Sequence, residues 1–110
     1  MLDWNEYRKE ILGRIGELGR INPPTVRGYR QLSEARAGAR LDAKTRELIA
    51  LAVAVTRQCD GCITTHVDAA LKHGADREEI AEALGVAAAV NAGAALIYSA
   101  RVMDAVATHS

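Results

Sequence analysis

Apolar residues return at helical intervals over most of this 110-residue chain. In the opening segment Trp4, Tyr7, Ile11, Ile15 and Leu18 fall on one side. Asp3 precedes them as a candidate N-cap and Glu6 follows three residues later, a capping-box arrangement. The pattern predicts an amphipathic helix to about Gly19. A second helix is expected from near Pro24, a residue suited to a first helical turn, with Val26, Tyr29 and Leu32 on its apolar side and Gly38 near its end. Asp42 caps a third helix ending around Arg57. Between Leu48 and Val55 it is apolar on every side, which predicts a fully buried helix. A strand competes for so aliphatic a run, but the length and the helix-forming start "AKTREL" favour a helix. A fourth helix is predicted from about Gly61 to His73, closed by Gly74. A fifth starts after Asp76, with Glu79 at the reciprocal capping position, and runs to a break near Asn91 or Gly93. A last helix then ends near Ala107.

These elements make an all-α domain of about six helices with no sheet. Residues 1–38 supply N-terminal helices and 40–106 the core. No repeat, low-complexity segment or linker interrupts it. Phe is absent and aromatics are 4% of the chain, so the core must be built from Ala, Leu, Val and Ile. The formal net charge is zero, so no overall field draws the chain to nucleic acid or to an anionic membrane, and neither partner is expected. The start "MLDWNEYRKE" lacks the form of a signal peptide. The apolar stretches at 48–55 and 85–98 fall short of the ~20 residues that cross a bilayer, so a cytoplasmic protein is expected. The Ala- and Gly-rich "GVAAAVNAGAALIYSA" lets helices approach closely, and a chain this short gains from shared burial, so a homo-oligomer is expected.

The chemistry concentrates in "RQCDGCITTH", residues 57–66. Cys59 and Cys62 have the C-x-x-C spacing that permits a disulfide. With a helix starting near Asp60, Cys62 lies in its first turn and His66 at i+4 on the same face. Helix N-termini and nearby imidazoles both favour a thiolate. Glu47 is the one carboxylate between Asp42 and Asp60 and lies along an apolar stripe with Ala50, Leu51 and Ala54. An acid there needs a partner, and His66 on the neighbouring helix is the natural one. A carboxylate–imidazole pair beside a thiol has the form of a nucleophile, its base and the base's orienter.

Two other readings compete. The cysteines can be buried core thiols beside a structural histidine. Zinc can also take Cys59, Cys62 and His66, with Glu47 or His73 as a fourth ligand, but zinc sites usually draw on two separated pairs and only one is present. No bound metal is expected. A thioredoxin fold would need strands that this chain lacks. His73 ends its helix, where a cation suits the dipole, and His109 belongs to the tail.

The stretch "RELIALAVAVTRQCDGCITTH", followed by "ALKHGADREEIAEALGVAAAVNAG", resembles the carboxymuconolactone decarboxylase-like proteins, and among them the alkylhydroperoxidase D branch. Glu47, Cys59, Cys62 and His66 match the family's Glu and C-x-x-C-x-x-x-H spacing, and the resemblance covers roughly residues 40–106. It implies an alkylhydroperoxidase D-like helical fold and a thiol-dependent peroxidase acting on hydroperoxides. In such a peroxidase a redox-active Cys59–Cys62 disulfide is the only redox group, and no separate cofactor is needed. A lipoyl-type dithiol or a peroxiredoxin would be the redox partner, and a homotrimer or homohexamer the assembly. The decarboxylase branch lacks the cysteine pair. A histidine stands between the cysteines in the best-known alkylhydroperoxidase D proteins, where this chain has Gly61; the exchange removes a proton carrier and widens the pocket. Two further functions stay open: a lyase using His66 and Glu47 as acid and base, and a non-catalytic redox sensor.

Overall fold

Asp42, Asp76 and Asp3 each stop the backbone in an extended conformation and turn a carboxylate onto the N–H three residues ahead. These caps satisfy donors that a helix start leaves unpaired. In the computed structural model, which describes residues 1–34 and 37–109, they open three of five helices. The helices are α1 (Trp4–Ile21), α2 (Pro23–Ser33), α3 (Ala43–Arg57), α4 (Asp60–Lys72) and α5 (Arg77–Ala107). No strand occurs among the described residues, and the fold is all-α. At Asp76 both halves of the predicted capping box are present: its side chain takes the Glu79 N–H, and the Glu79 side chain takes the Asp76 N–H. Gly74, at φ 89°, makes the left-handed turn that lets the chain leave α4 and enter α5.

The expected break near Asn91 or Gly93 does not occur. α5 is a single helix of 31 residues. The Asn91 amide donates to its own helix at the Ala87 carbonyl (2.7 Å) and to Thr56 Oγ1 of α3 (2.8 Å), so its polar group is satisfied without unwinding the backbone. Gly93 costs ~1 kcal/mol in a helix, which the surrounding alanines absorb. The unbroken helix also changes one exclusion made from the sequence. By length and composition alone α5 could cross a membrane.

The helices form a chain of neighbours. α3 packs between α4 and α5, α1 lies on α4, and α2 on α1. The core between α3, α4 and the start of α5 is Leu51, Ala70 and Ala75, with Leu48, Val67 and Ile80 against them. Gly19 and Val26 bring α1 and α2 together closely, since a Cβ at Gly19 would stand 3.4 Å from a Val26 methyl. The expectation of a fully buried α3 holds only on one side: Leu51 and Ala54 are buried, whereas Ile49, Val53 and Val55 stay exposed in the single chain. The whole is elongated. Its radius of gyration is 18.4 Å, against the ~13 Å usual for a compact chain of about this length.

Three carboxylates are held below their ordinary range: Asp42 by the Thr45 N–H, Asp68 by the Lys72 ammonium, and Glu79 by the Lys44 ammonium. A carboxylate whose folded pKa is depressed contributes stability above its unfolded pKa of ~4 and loses it as pH falls through the folded value. Lys44, raised by Glu79, behaves oppositely, and its share is lost only as pH rises through its folded pKa. Unfolding temperatures followed by circular dichroism should therefore drop between pH 7 and pH 3. Glu79→Gln should show a smaller drop than the wild type; equal drops would mean that the Lys44–Glu79 contact contributes nothing.

Candidate functional site

The site is built on the hairpin of α3 and α4. Gln58, at φ 54°, closes α3 in the left-handed region, and the next N–H, that of Cys59, reaches back to the Ala54 carbonyl at 3.1 Å. This turn delivers Cys59, in extended conformation, as the N-cap of α4. Its sulfur accepts the Cys62 N–H at 3.2 Å. Cysteine is not among the usual caps, so sulfur here does the work that oxygen does at the other helix starts. Cys59 and Cys62 are joined as a disulfide, with Cα atoms 5.2 Å apart.

His66 stands one turn beyond Cys62 on the same face of α4. Across the hairpin its Nδ1 meets Glu47 Oε2 at 2.6 Å. The two side chains are 25% and 21% exposed, so the contact is sheltered but reachable by solvent. An ionised carboxylate can only accept, so Nδ1 carries the proton, and Nε2 of a neutral ring is left free to take one. The fixed tautomer is the chemical content of the pair.

α1 forms a wall beside these groups. Thr64, buried on α4, donates to the Trp4 carbonyl at 3.3 Å, and Arg8 pairs with Asp68 at 2.9 Å. A Cβ at Gly61 would stand 3.9 Å from Ile11, an ordinary contact, so the space beside the position between the cysteines is bounded by an isoleucine. The same Ile11 lines an open hollow of about 690 Å³ along α1, with Tyr7 and Arg14.

All four residues singled out from the sequence (Glu47, Cys59, Cys62 and His66) thus belong to one hairpin. His73 does not join them: it caps the far end of α4 through its N–H to the Ala69 carbonyl, and His109 follows α5. No group of three or more metal-binding side chains is assembled among the described residues. Sequence reasoning missed Gln58 and the α1 wall. Gln58 carries no signal for a left-handed turn, and residues some 60 positions from α4 share no local pattern with it.

The sequence pattern that defines the carboxymuconolactone decarboxylase family matches residues 23–105. The chain belongs to that family. A carboxymuconolactone decarboxylase family protein from Legionella pneumophila, crystallised in its apo form, is similar in fold, with a TM-score of 0.74 and 36% identity over 93% of this chain and 92% of that one. An uncharacterized Haemophilus influenzae protein is 50% identical over 104 residues, 94% of this chain and 92% of its own. Another, uncharacterized protein 4 in the cox locus of Paracoccus denitrificans, is 41% identical over 86 residues, 77% of this chain and 78% of its own. Within this family, a chain that carries both the Glu–His pair and the cysteine pair has the parts for thiol chemistry as well as for acid–base chemistry.

Proposed function

We propose that this family member is a thiol-dependent hydroperoxide reductase. The observation that carries the reading is the Cys59–Cys62 pair set one helical turn from an imidazole whose tautomer Glu47 holds. In the reduced enzyme His66 takes the Cys62 proton at Nε2, directly or through a water. The Cys62 thiolate attacks the terminal peroxide oxygen; the O–O bond breaks, Cys62 becomes a sulfenic acid, and the alkoxide leaves as an alcohol with the proton from His66. Cys59 then condenses with the sulfenic acid, releasing water and forming the disulfide. A lipoyl-type dithiol attacks Cys59, supplies the two electrons and frees both thiols, and a peroxiredoxin partner would exchange with the same cysteine pair.

The two cysteines divide the features that favour a thiolate. Cys62 shares its face with His66, while the cap contact puts the Cys62 N–H on the Cys59 sulfur. Cys62 is assigned the attack because a base beside the thiol removes its proton at the moment of reaction, which the cap does not do.

Reduced protein should consume cumene hydroperoxide continuously when dihydrolipoamide is supplied, with one alcohol formed per dithiol oxidised. A single turnover that never repeats would point instead to a redox sensor. A second reading rests on the Glu47–His66 pair alone, which can serve as acid and base in a lyase reaction on a small lactone acid. Decarboxylation that persists in a Cys59→Ser/Cys62→Ser variant would favour it.

A further inference from the structure

Where Gly19 lets α1 and α2 come together on Val26, the two helices leave a hollow of about 340 Å³ between them. That volume lies within the ~300–1,000 Å³ of small-molecule sites. Val26, the one buried residue of α2, and Ile15 of α1 give the hollow its apolar part. Arg20 of α1 and Arg27 and Arg30 of α2 line it as well, and no acid does.

Exposed arginines are ordinarily satisfied by water. The charge balance around these three is what sets them apart. Arg8, Arg14, Lys44 and Lys72 each hold a carboxylate in an ion pair. Between Ile15 and Arg30 the single acid is Glu17, and Arg14 already holds it at 2.9 Å. Arg20, Arg27 and Arg30 have no side-chain hydrogen bond or ion pair among the described residues. Arg27 and Arg30 stand three apart on one helix, where like charges repel. Arg20 lies back over Gly16, where a Cβ would stand 3.8 Å from its guanidinium, so the glycine leaves room for that group at the wall of the hollow. Three cations thus share one small concavity with nothing nearby on the chain to offset them.

Guanidinium forks match oxyanions, and phosphate in particular. A carboxylate offers two oxygens to three forks. A phosphomonoester offers three and carries a charge of about −1.5 to −2 at pH 7, the closer match to three cations. A lipid surface would need these groups on an open face, and they line a hollow instead. We propose that the α1–α2 hollow binds a small phosphorylated organic molecule, with its phosphate on Arg20, Arg27 and Arg30 and its apolar portion against Ile15 and Val26. The inference does not depend on the peroxidase reading, since the hollow shares no residue with Glu47, Cys59, Cys62 or His66.

Titration calorimetry on the full chain with hexyl phosphate tests it. Binding should saturate at one site per chain, and Arg20→Gln/Arg27→Gln should weaken it by about tenfold or more, the worth of a lost charge-assisted hydrogen bond. Arg77→Gln, an exposed change of charge at the start of α5, should leave the affinity unchanged. Inorganic phosphate should bind more weakly than hexyl phosphate, because it makes no apolar contact. If the double variant fails to fold, backbone amide resonances of the wild type serve: residues 15–30 should shift on adding hexyl phosphate and residues 77–90 should not. The proposal is overturned by the absence of saturable binding at millimolar hexyl phosphate, or by an equal loss in Arg77→Gln. Tighter binding of hexaglutamate would assign the arginines to an acidic peptide, and binding only of phosphatidic acid vesicles would assign them to a membrane; either would overturn it too. Inorganic phosphate bound as tightly as hexyl phosphate would remove the organic portion from the site.

Discussion

Cys62→Ser should reduce hydroperoxide turnover to the uncatalysed level. A serine hydroxyl at that position is not ionised by a neighbouring imidazole to any useful extent, and it cannot be oxidised to a sulfenic acid. Cys59→Ser should behave differently. The attacking thiol is then intact, so peroxide converts it to a sulfenic acid that has no partner to condense with, and turnover stops after the first step. Dimedone should label Cys59→Ser after peroxide treatment and leave Cys62→Ser unlabelled, as read by intact-protein mass spectrometry. Labelling in the opposite pattern would exchange the two roles. It would also mean that the backbone N–H on the Cys59 sulfur outweighs the histidine on the Cys62 face.

Glu47→Gln should lower turnover by ~10²–10⁴, the usual worth of a positioned general base. The substitution keeps the shape of the side chain but removes its charge and allows an amide N–H to point at His66 Nδ1. That would move the ring proton to Nε2, the nitrogen the mechanism needs free. Glu47 touches the imidazole and not the peroxide, so it acts as a positioning residue. Its loss should therefore flatten the low-pH limb of the turnover profile as well as reduce its height. A merely structural role predicts a changed melting temperature with the pH profile preserved. The helical circular dichroism should stay at its wild-type level, because both side chains are partly open to water and the hairpin packs mainly through Leu51 and Ala70.

The four site residues were legible from the sequence because each follows from helical spacing: Cys62 and His66 are one turn apart, and Glu47 is an acid on an otherwise apolar stripe. The caps were equally legible, since Asp3, Asp42 and Asp76 act on donors only three residues away. What could not be read depends on neighbours distant in sequence. Asn91 reads as a helix breaker until Thr56 is known to accept from it. The apolar run of α3 reads as buried on all sides because hydropathy says that a surface will be covered, not that this chain covers it. The sulfur cap was hidden for another reason: cysteine caps a helix here through geometry that the Gln58 turn imposes.

The Glu47–His66 contact joins residues only 19 positions apart. Closing so short a loop costs little chain entropy, and the hairpin turn already spends most of it in forming. The reactive centre is consequently a local object in folding terms, like a hairpin and unlike a site gathered from distant strands. Its geometry is set by two helices and one turn, so α1, α2 and the far end of α5 can diverge in sequence, and change what is admitted or bound, without the four reacting groups having to be placed again.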